Sequence, residues 1–227
     1  MYLFFHPEIT STFQLGDEES HHALRVLRLN QGDIIHLTDG KGTFATARIE
    51  HTTKSNCTCG LISSQQYPKK KYSISLAIAP TKNSDRIEWM VEKCVEFGID
   101  SFIFIGTQHG ERKKINIDRI KKITLAALKQ SQQYWLPAIQ EMSFENILQQ
   151  KADQKFIAHV DQTNPQLLQK EAKPGLHYLV LIGPEGDFSA SEIDWALQAG
   201  FRKVSLGPNR LRTETAGLVG MVMMVTR

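Results

Sequence analysis

Two turns near the end of the chain constrain its fold more than any other feature. Each lies between a short apolar run and a sequence that opens a helix. In the first, Leu179 to Ile182 reads as a buried strand and Gly183-Pro184-Glu185-Gly186-Asp187-Phe188 as the turn. Ser189 and Glu192 then make an S-x-x-E capping box. In the second, Val204 and Leu206 close an apolar run that Gly207 and Pro208 break, because glycine tolerates positive φ and proline lacks an N–H. Thr213 is expected to cap the following helix, with Glu214 in its first turn, where the helix dipole favours an anion. Donor-rich loops at the carboxyl ends of strands are where parallel α/β proteins bind ligands.

The same alternation extends upstream to Tyr72. Ser73 to Ala79 reads as a strand, followed by a helix from Asp85 to Phe97 with Ile87, Met90, Val91, Cys94 and Val95 on one apolar stripe. Gly98 stops that helix. Cys94 lies on the stripe and is expected to be a core thiol, not a nucleophile. A strand at Phe102 to Ile105 follows, then a helix starting at Asp118 with Ile120, Ile123, Ala127 and Leu128 on one face and Pro137 past its end. Glu145 to Lys151 reads as a short helix and Lys155 to Val160 as a strand whose end is His159-Val160-Asp161. The periodicity then gives strand 177–182, helix 189–199, strand 203–206 and a last helix. That helix is apolar nearly all round, from Leu218 to Val225. Such a helix must be buried on several sides, by its own chain or by a partner subunit.

Before residue 72 the pattern is β-rich. Ile34 to Leu37 and Thr43 to Ile49 are strands around a Thr38–Gly42 turn. A helix starting between Asp17 and Ser20 carries His22, Arg25 and Arg28 and ends at the Asn30-Gln31-Gly32-Asp33 turn. Gln65 to Lys71, polar with a proline and a basic end, reads as a linker, so the domains are expected at 1–68 and 72–227. Two readings stand for the cations of Arg25, Arg28 and the Lys69–Lys71 run: solvated charge, or contact with phosphate. The same two stand for Gly110-Glu111-Arg112-Lys113-Lys114, whose place after a strand puts Arg112 on the ligand side.

Several classes are disfavoured. Apolar content of 41% and a net charge of +3 fit a globular chain and leave nucleic-acid binding to local clusters of charge. No apolar run approaches the roughly 18 residues of a membrane span, and the start lacks a secretory pattern. Three cysteines make no disulfide framework, so a cytosolic location is expected. Cys57-Thr58-Cys59 is poor zinc spacing and reads better as a strand with both thiols on one face, so no metal is expected. P-loop, G-x-G-x-x-G, H-E-x-x-H and G-x-S-x-G motifs do not occur.

Taken together, LIGPEGDFSASE and LGPNRLRTETAG resemble the RsmE family, the 16S rRNA (uracil-N3)-methyltransferases of the SPOUT class. The resemblance covers nearly the whole chain. His22 with Val26-Leu27-Arg28 and Gly32-Asp33 is similar to the family's PUA-like β-barrel, an RNA-binding accessory domain. Lys82 to Gly98 is similar to the first helix of its catalytic domain, and Gly110-Glu111-Arg112 stands for a Ser-Glu-Arg motif. The resemblance implies an α/β SPOUT domain threaded as a trefoil knot, S-adenosyl-L-methionine as cofactor, small-subunit rRNA as substrate, and a homodimer. It implies cofactor binding by His159, Leu181, Ile182, Gly183, Pro184, Glu185, Gly186, Leu206, Gly207, Leu211, Thr213 and Ala216. Backbone approach at Gly183, Gly186 and Gly207, with Ile182, Leu206 and Leu211 walling the adenine, suits that ligand. RNA contacts are implied at His22, Arg25, Arg28, Arg86, Arg112 and Arg210.

Uracil N3 carries a proton, and its loss spreads negative charge over the ring oxygens. Arg212 is the candidate to stabilise that charge or to anchor the nucleotide's phosphate. Glu214 is a candidate base or an orienter of Arg212, with simple helix capping as the alternative. Three positions depart from the family pattern. Asp187 replaces the second glycine of GPEGG, Asn209-Arg210 shifts a positive charge by one position, and Gln133 stands where an arginine is frequent. Rival readings are the same fold on another RNA, a non-catalytic RNA-binding assembly factor, and an α/β protein for another adenine nucleotide.

Overall fold

The structure, a computed structural model, describes residues 2–110, 115–159 and 166–226. The chain divides into two compact units, one of residues 1–69 with 125–136, the other of 70–124 with 137–227.

In the first unit, strands β1 (Leu3–Phe5) and β2 (Thr12–Gln14) precede helix α1 (Asp17–His21). The helix widens over His22–Val26, where the Leu27 N–H reaches back to the His22 carbonyl at 3.0 Å. Then come β3 (Ile34–Thr38), β4 (Thr43–Thr52) and β5 (Cys57–Gln66). The sheet order is β1-β3-β4-β5-β2, with β1 parallel to β3 and the other pairs antiparallel. Strand alternation turns Ile35, Leu37, Ala45, Ala47 and Ile49 into one core. Cys57 and Cys59 share that buried face, as the alternation requires, with their sulfurs 3.8 Å apart. Irregular pairing at Thr46/Ala47 and Ile49/His51 bends the long strands. His6 Nε2, just past β1, donates to the Gln14 carbonyl of β2 at 3.0 Å and so links the two edge strands.

Residues 125–136 join this unit through backbone bonds from Gly42 to the Tyr134 carbonyl and from Leu136 to the Gly40 carbonyl, each 2.8 Å. Gly42 has φ 100°, and a Cβ there would sit 2.5 Å from the Trp135 ring, so only glycine lets this contact form.

The second unit alternates as expected. Its elements are β6 (Ser73–Ile78), α2 (Ser84–Glu96), β7 (Ser101–Gly106), the start of α3 (Ile117–Gln130, whose residues from 125 group with the first unit) and β8 (Ala138–Ser143). They continue as α4 (Phe144–Leu148), β9 (Gln154–Ala158), α5 (Leu168–Glu171), β10 (His177–Ile182), α6 (Ala190–Gln198), β11 (Arg202–Val204) and α7 (Thr213–Val225). All pairings are parallel, in the order β11-β9-β10-β6-β7-β8. The central strands β10 and β6 are covered on both faces, which is why their sequences are near-continuous apolar runs. The neighbours β11, β9 and β10 bring their carboxyl ends, and therefore their loops, to one edge of the unit.

The apolar stripe of α2 is fully buried. Burial pushes the Cys94 thiol up to about 12, in keeping with a core residue. Helix α7 packs on α2, β6, β10 and α5. Gly217 permits this close approach, since a Cβ would lie 2.5 Å from Met90 Sδ and 3.1 Å from Ile78 Cδ1. Gly217, Gly220, Met221 and Met224 are buried, whereas Leu218, Val219, Val222 and Met223 keep partial exposure within the single chain. Among the described residues no helix is long and apolar enough to cross a membrane.

Candidate active site

Three loops build the site. The loop after β9 contributes His159, the turn after β10 spans Gly183–Ser189, and the turn after β11 spans Ser205–Arg212. They enclose a cleft of about 800 Å³, within the range of small-molecule sites.

The turn after β10 is held by its own residues. Asp187 N–H donates to the Pro184 carbonyl at 3.0 Å and Phe188 N–H to Asp187 Oδ1 at 2.8 Å. The capping box forms as the sequence predicts: Ser189 Oγ accepts from Glu192 N–H at 3.2 Å, and Glu192 Oε2 accepts from Ser189 N–H at 2.8 Å. The other Glu192 oxygen accepts from the Gln108 N–H at 2.8 Å and ties in the loop after β7. A Cβ at Gly183 would come within 3.1 Å of the Phe188 ring, which explains glycine there. Asp187 has φ 63°, a left-handed conformation that glycine adopts freely and that Asp tolerates better than most residues.

The turn after β11 is held by its neighbours. Gly207 has φ 139°, open only to glycine, and the Ser205 hydroxyl closes it by donating to the Gly207 carbonyl at 3.0 Å. Arg210 Nη2 donates to the Glu185 carbonyl, and Thr213 Oγ1 to the Gly183 carbonyl, each at 3.1 Å. Thr213 is therefore not the helix cap that the sequence predicts. Arg212 occupies the cap position, Thr213 is the first helical residue, and its hydroxyl reaches the other turn. A third link joins His159 Nδ1 to Asp187 Oδ2 at 2.9 Å.

Of the expected cofactor residues, His159, Ile182, Gly183, Pro184, Glu185, Leu206, Gly207, Leu211, Thr213 and Ala216 line the cleft. Leu181 instead packs in the core with Ile157 and Phe188, because the strand alternation that turns Ile182 to the cleft turns Leu181 away. Gly186 sits against His109, where a Cβ would be 3.3 Å from the His109 Cβ. Arg212 and Arg210 are exposed on the cleft wall. Glu214 does not act from that wall. It is 7% exposed, and its Oε1 lies 3.8 Å from Arg86 Nε, so its partner is Arg86 and not Arg212. Arg86, Lys82, Asn83 and Glu185 line a smaller recess of about 430 Å³, and Glu185 belongs to both cavities.

In the first unit, Arg28 is exposed at φ 56°. Arg25 donates to the Lys54 carbonyl at 3.1 Å, and the His22 ring lies 5.7 Å from that of Phe4. Arg112 lies outside the described residues. Sequence reasoning missed Ser205 and Val204 as lining residues. The Gly207-Pro208 break just after it was the available signal for the first, and the second reads only as an ordinary apolar strand residue.

The cleft combines apolar walls at Ile182, Leu206, Leu211 and Ala216 with the carboxylates of Glu185 and Asp187 and the guanidiniums of Arg210 and Arg212. That set fits a ligand with an aromatic ring and both signs of charge. Among the described residues there is no cluster of metal-ligating side chains.

A family model for an RNA methyltransferase domain matches residues 68–225, and one for an RNA methyltransferase PUA domain matches residues 15–62. The chain belongs to the RNA methyltransferase family. A probable rRNA-methyltransferase from Porphyromonas gingivalis is 42% identical to this methyltransferase, with a TM-score of 0.92 and coverage of 98% of this chain and 96% of that one. The ribosomal RNA small subunit methyltransferase E of Neisseria gonorrhoeae, solved bound to S-adenosyl methionine, is 26% identical. Its TM-score is 0.87, and the match covers 100% of this chain and 97% of that one. The Bacillus subtilis ribosomal RNA small subunit methyltransferase E is 27% identical over 94% of this chain and 90% of its own length.

Proposed function

We propose that this methyltransferase uses S-adenosylmethionine to methylate N3 of a uridine in the 16S rRNA of the small ribosomal subunit. The observation that carries the reading is the cleft itself. Three parallel-strand loops, tied to one another by Thr213, Arg210 and His159, enclose apolar walls and paired charges that suit an adenosyl amino acid. The Neisseria relative of the same fold holds that cofactor.

The cofactor supplies an electrophilic methyl group, and the chain supplies the surroundings. Backbone groups of the two glycine turns and the side chains of Ile182, Leu206 and Leu211 hold the adenosyl part. The acidic Glu185 favours the cationic end. Arg212, exposed on the cleft wall, stabilises the negative charge that uracil gains as N3 loses its proton, or anchors the phosphate of that nucleotide. The target base must leave its stack to reach the cleft. Glu214 keeps Arg86 in place at the neighbouring recess, whose Lys82 and Arg86 suit an RNA phosphate. Arg28, exposed beside the wide turn of the first unit, is a second backbone contact. The partly exposed Leu218, Val219, Val222 and Met223 of α7, with the exposed Trp89 of α2, make the apolar face of a homodimer.

The test is methyl transfer from labelled S-adenosylmethionine to small subunits and to free 16S rRNA from cells lacking the modification. The product nucleoside is identified by mass. 3-Methyluridine is the expected product. Cofactor binding without transfer to either substrate would move the reading to another RNA, or to a binding factor without turnover.

A further inference from the structure

Asp187 makes more contacts than its turn requires. Its carboxylate takes the Phe188 N–H at Oδ1 (2.8 Å) and His159 Nδ1 at Oδ2 (2.9 Å), while its carbonyl accepts from His109 Nδ1 at 3.1 Å. One residue thus joins the ends of β7, β9 and β10. The carboxylate reaches His159 from a backbone at φ 63°, which the Asp187 N–H bond to Pro184 holds. His159 is also tied through its own N–H to the Val204 carbonyl at 3.4 Å. Both residues line the large cleft and are mostly shielded, with side-chain exposures of 18% and 27%.

A carboxylate can only accept. The His159 nitrogen facing Asp187 must therefore carry the proton, and in the neutral ring Nε2 is left with a lone pair. We propose that Asp187 is a positioning residue that fixes this tautomer of His159, so that Nε2 accepts a hydrogen bond from a hydroxyl or amino group of an adenosyl ligand. The inference rests on the proposed function for the identity of the ligand. The pairing itself rests on the geometry alone.

Two measurements test it. The first uses the ligand-free protein, at a pH well above the range in which histidine titrates. Long-range nitrogen–proton NMR of His159 should show protonated Nδ1 in the wild-type protein and a shift towards protonated Nε2 in Asp187→Gly. Glycine adopts φ 63° without strain, so this variant removes the carboxylate and keeps the turn. A wild-type ring protonated at Nε2 overturns the proposal. So does a ring unchanged by Asp187→Gly.

The second is a double-mutant cycle on S-adenosylmethionine affinity, measured by calorimetry. Asp187→Gly should weaken binding about tenfold in the wild-type protein, the scale of one charge-assisted hydrogen bond. In a His159→Gln background, where the imidazole is gone, it should weaken binding less than about twofold. Equal losses in both backgrounds would mean that Asp187 only holds the loop, and would overturn the inference. Unchanged affinity in wild-type Asp187→Gly would do the same while leaving the proposed function intact. Failure of the wild-type protein to bind the cofactor at all would remove the functional reading and the ligand half of this inference together, with the tautomer still deciding the pair.

Discussion

The two glycine turns of the site look alike in sequence and are built on opposite plans. The turn after β10 closes on itself where its helix begins. Ser189 and Glu192 satisfy each other's backbone N–H groups, and Asp187 braces the turn from within. The turn after β11 has no such closure at its helix. Its cap position holds Arg212, whose guanidinium has no acceptor to offer the first turn of α7. Beyond the Ser205 hydroxyl that braces Gly207, its order comes from outside, through Thr213 to Gly183 and Arg210 to Glu185. The first turn is a fixed wall. The second leans on that wall and carries the exposed cations. A site that must admit a cofactor and then an RNA base gains from that division, because only the second turn has to yield.

Substitutions break or sharpen this contrast. The largest effect is expected at Arg212→Lys, which keeps the charge and loses the planar fork. Methyl transfer at saturating substrate should fall about a hundredfold, the scale of one lost transition-state donor, with the melting temperature unchanged. Full turnover would show that the charge geometry at Arg212 does not matter. Glu192→Ala probes the opposite plan. It strips acceptors from the Ser189 and Gln108 N–H groups and should cost about 3 kcal/mol of stability, seen as a lower melting temperature with cofactor affinity little changed per folded molecule. A loss of affinity without a loss of stability would make the first turn as yielding as the second.

These two positions also mark what the sequence could and could not reveal. The Ser189–Glu192 cap was legible because all its parts lie within four consecutive residues. The buried strands β6 and β10 were legible because burial on both faces leaves continuous apolar runs. Thr213 was misread as a cap because its acceptor, Gly183, belongs to the other turn, and local pattern carries no record of a partner that far along the chain. The partner of Glu214 is hidden for the same reason: Arg86 lies on α2, so local pattern leaves base, orienter of Arg212 and helix capping all open. Strand β8 escaped notice because it is an edge strand of largely exposed residues, Ala138–Ser143, with no apolar run to announce it. The grouping of 125–136 with the first unit was equally silent, resting on backbone bonds to Gly40 and Gly42.

Gly207→Ala addresses the second turn's backbone. At φ 139° an added Cβ costs about 1–2 kcal/mol, although it would meet no atom within 4 Å. The strain is purely conformational, so the turn should relax to another φ. Cofactor affinity should then fall roughly tenfold, while the melting temperature changes little. If Gly207→Ala lowered the melting temperature as far as Glu192→Ala does, the second turn would be as integral to the fold as the first.

The smallest effect, and the most discriminating, is expected at Thr213→Val. Valine keeps the shape and removes the hydroxyl that donates to Gly183, a single neutral hydrogen bond worth about 1 kcal/mol. That bond can act in either of two ways. If it stabilises the fold, its loss appears in the melting curve and cofactor binding is spared. If it holds the second turn against the first, its loss appears as about a fivefold weaker cofactor affinity, the same free energy read at a different place. The half-buried Gly183 carbonyl can take a water in place of the hydroxyl, which limits the stability loss, whereas a water cannot anchor the turn. The binding outcome is therefore expected. Thr213→Ser keeps the donor and should restore affinity. A Val variant with normal affinity and a lowered melting temperature would place the tether in the fold, and the two turns would then differ in sequence detail but not in purpose.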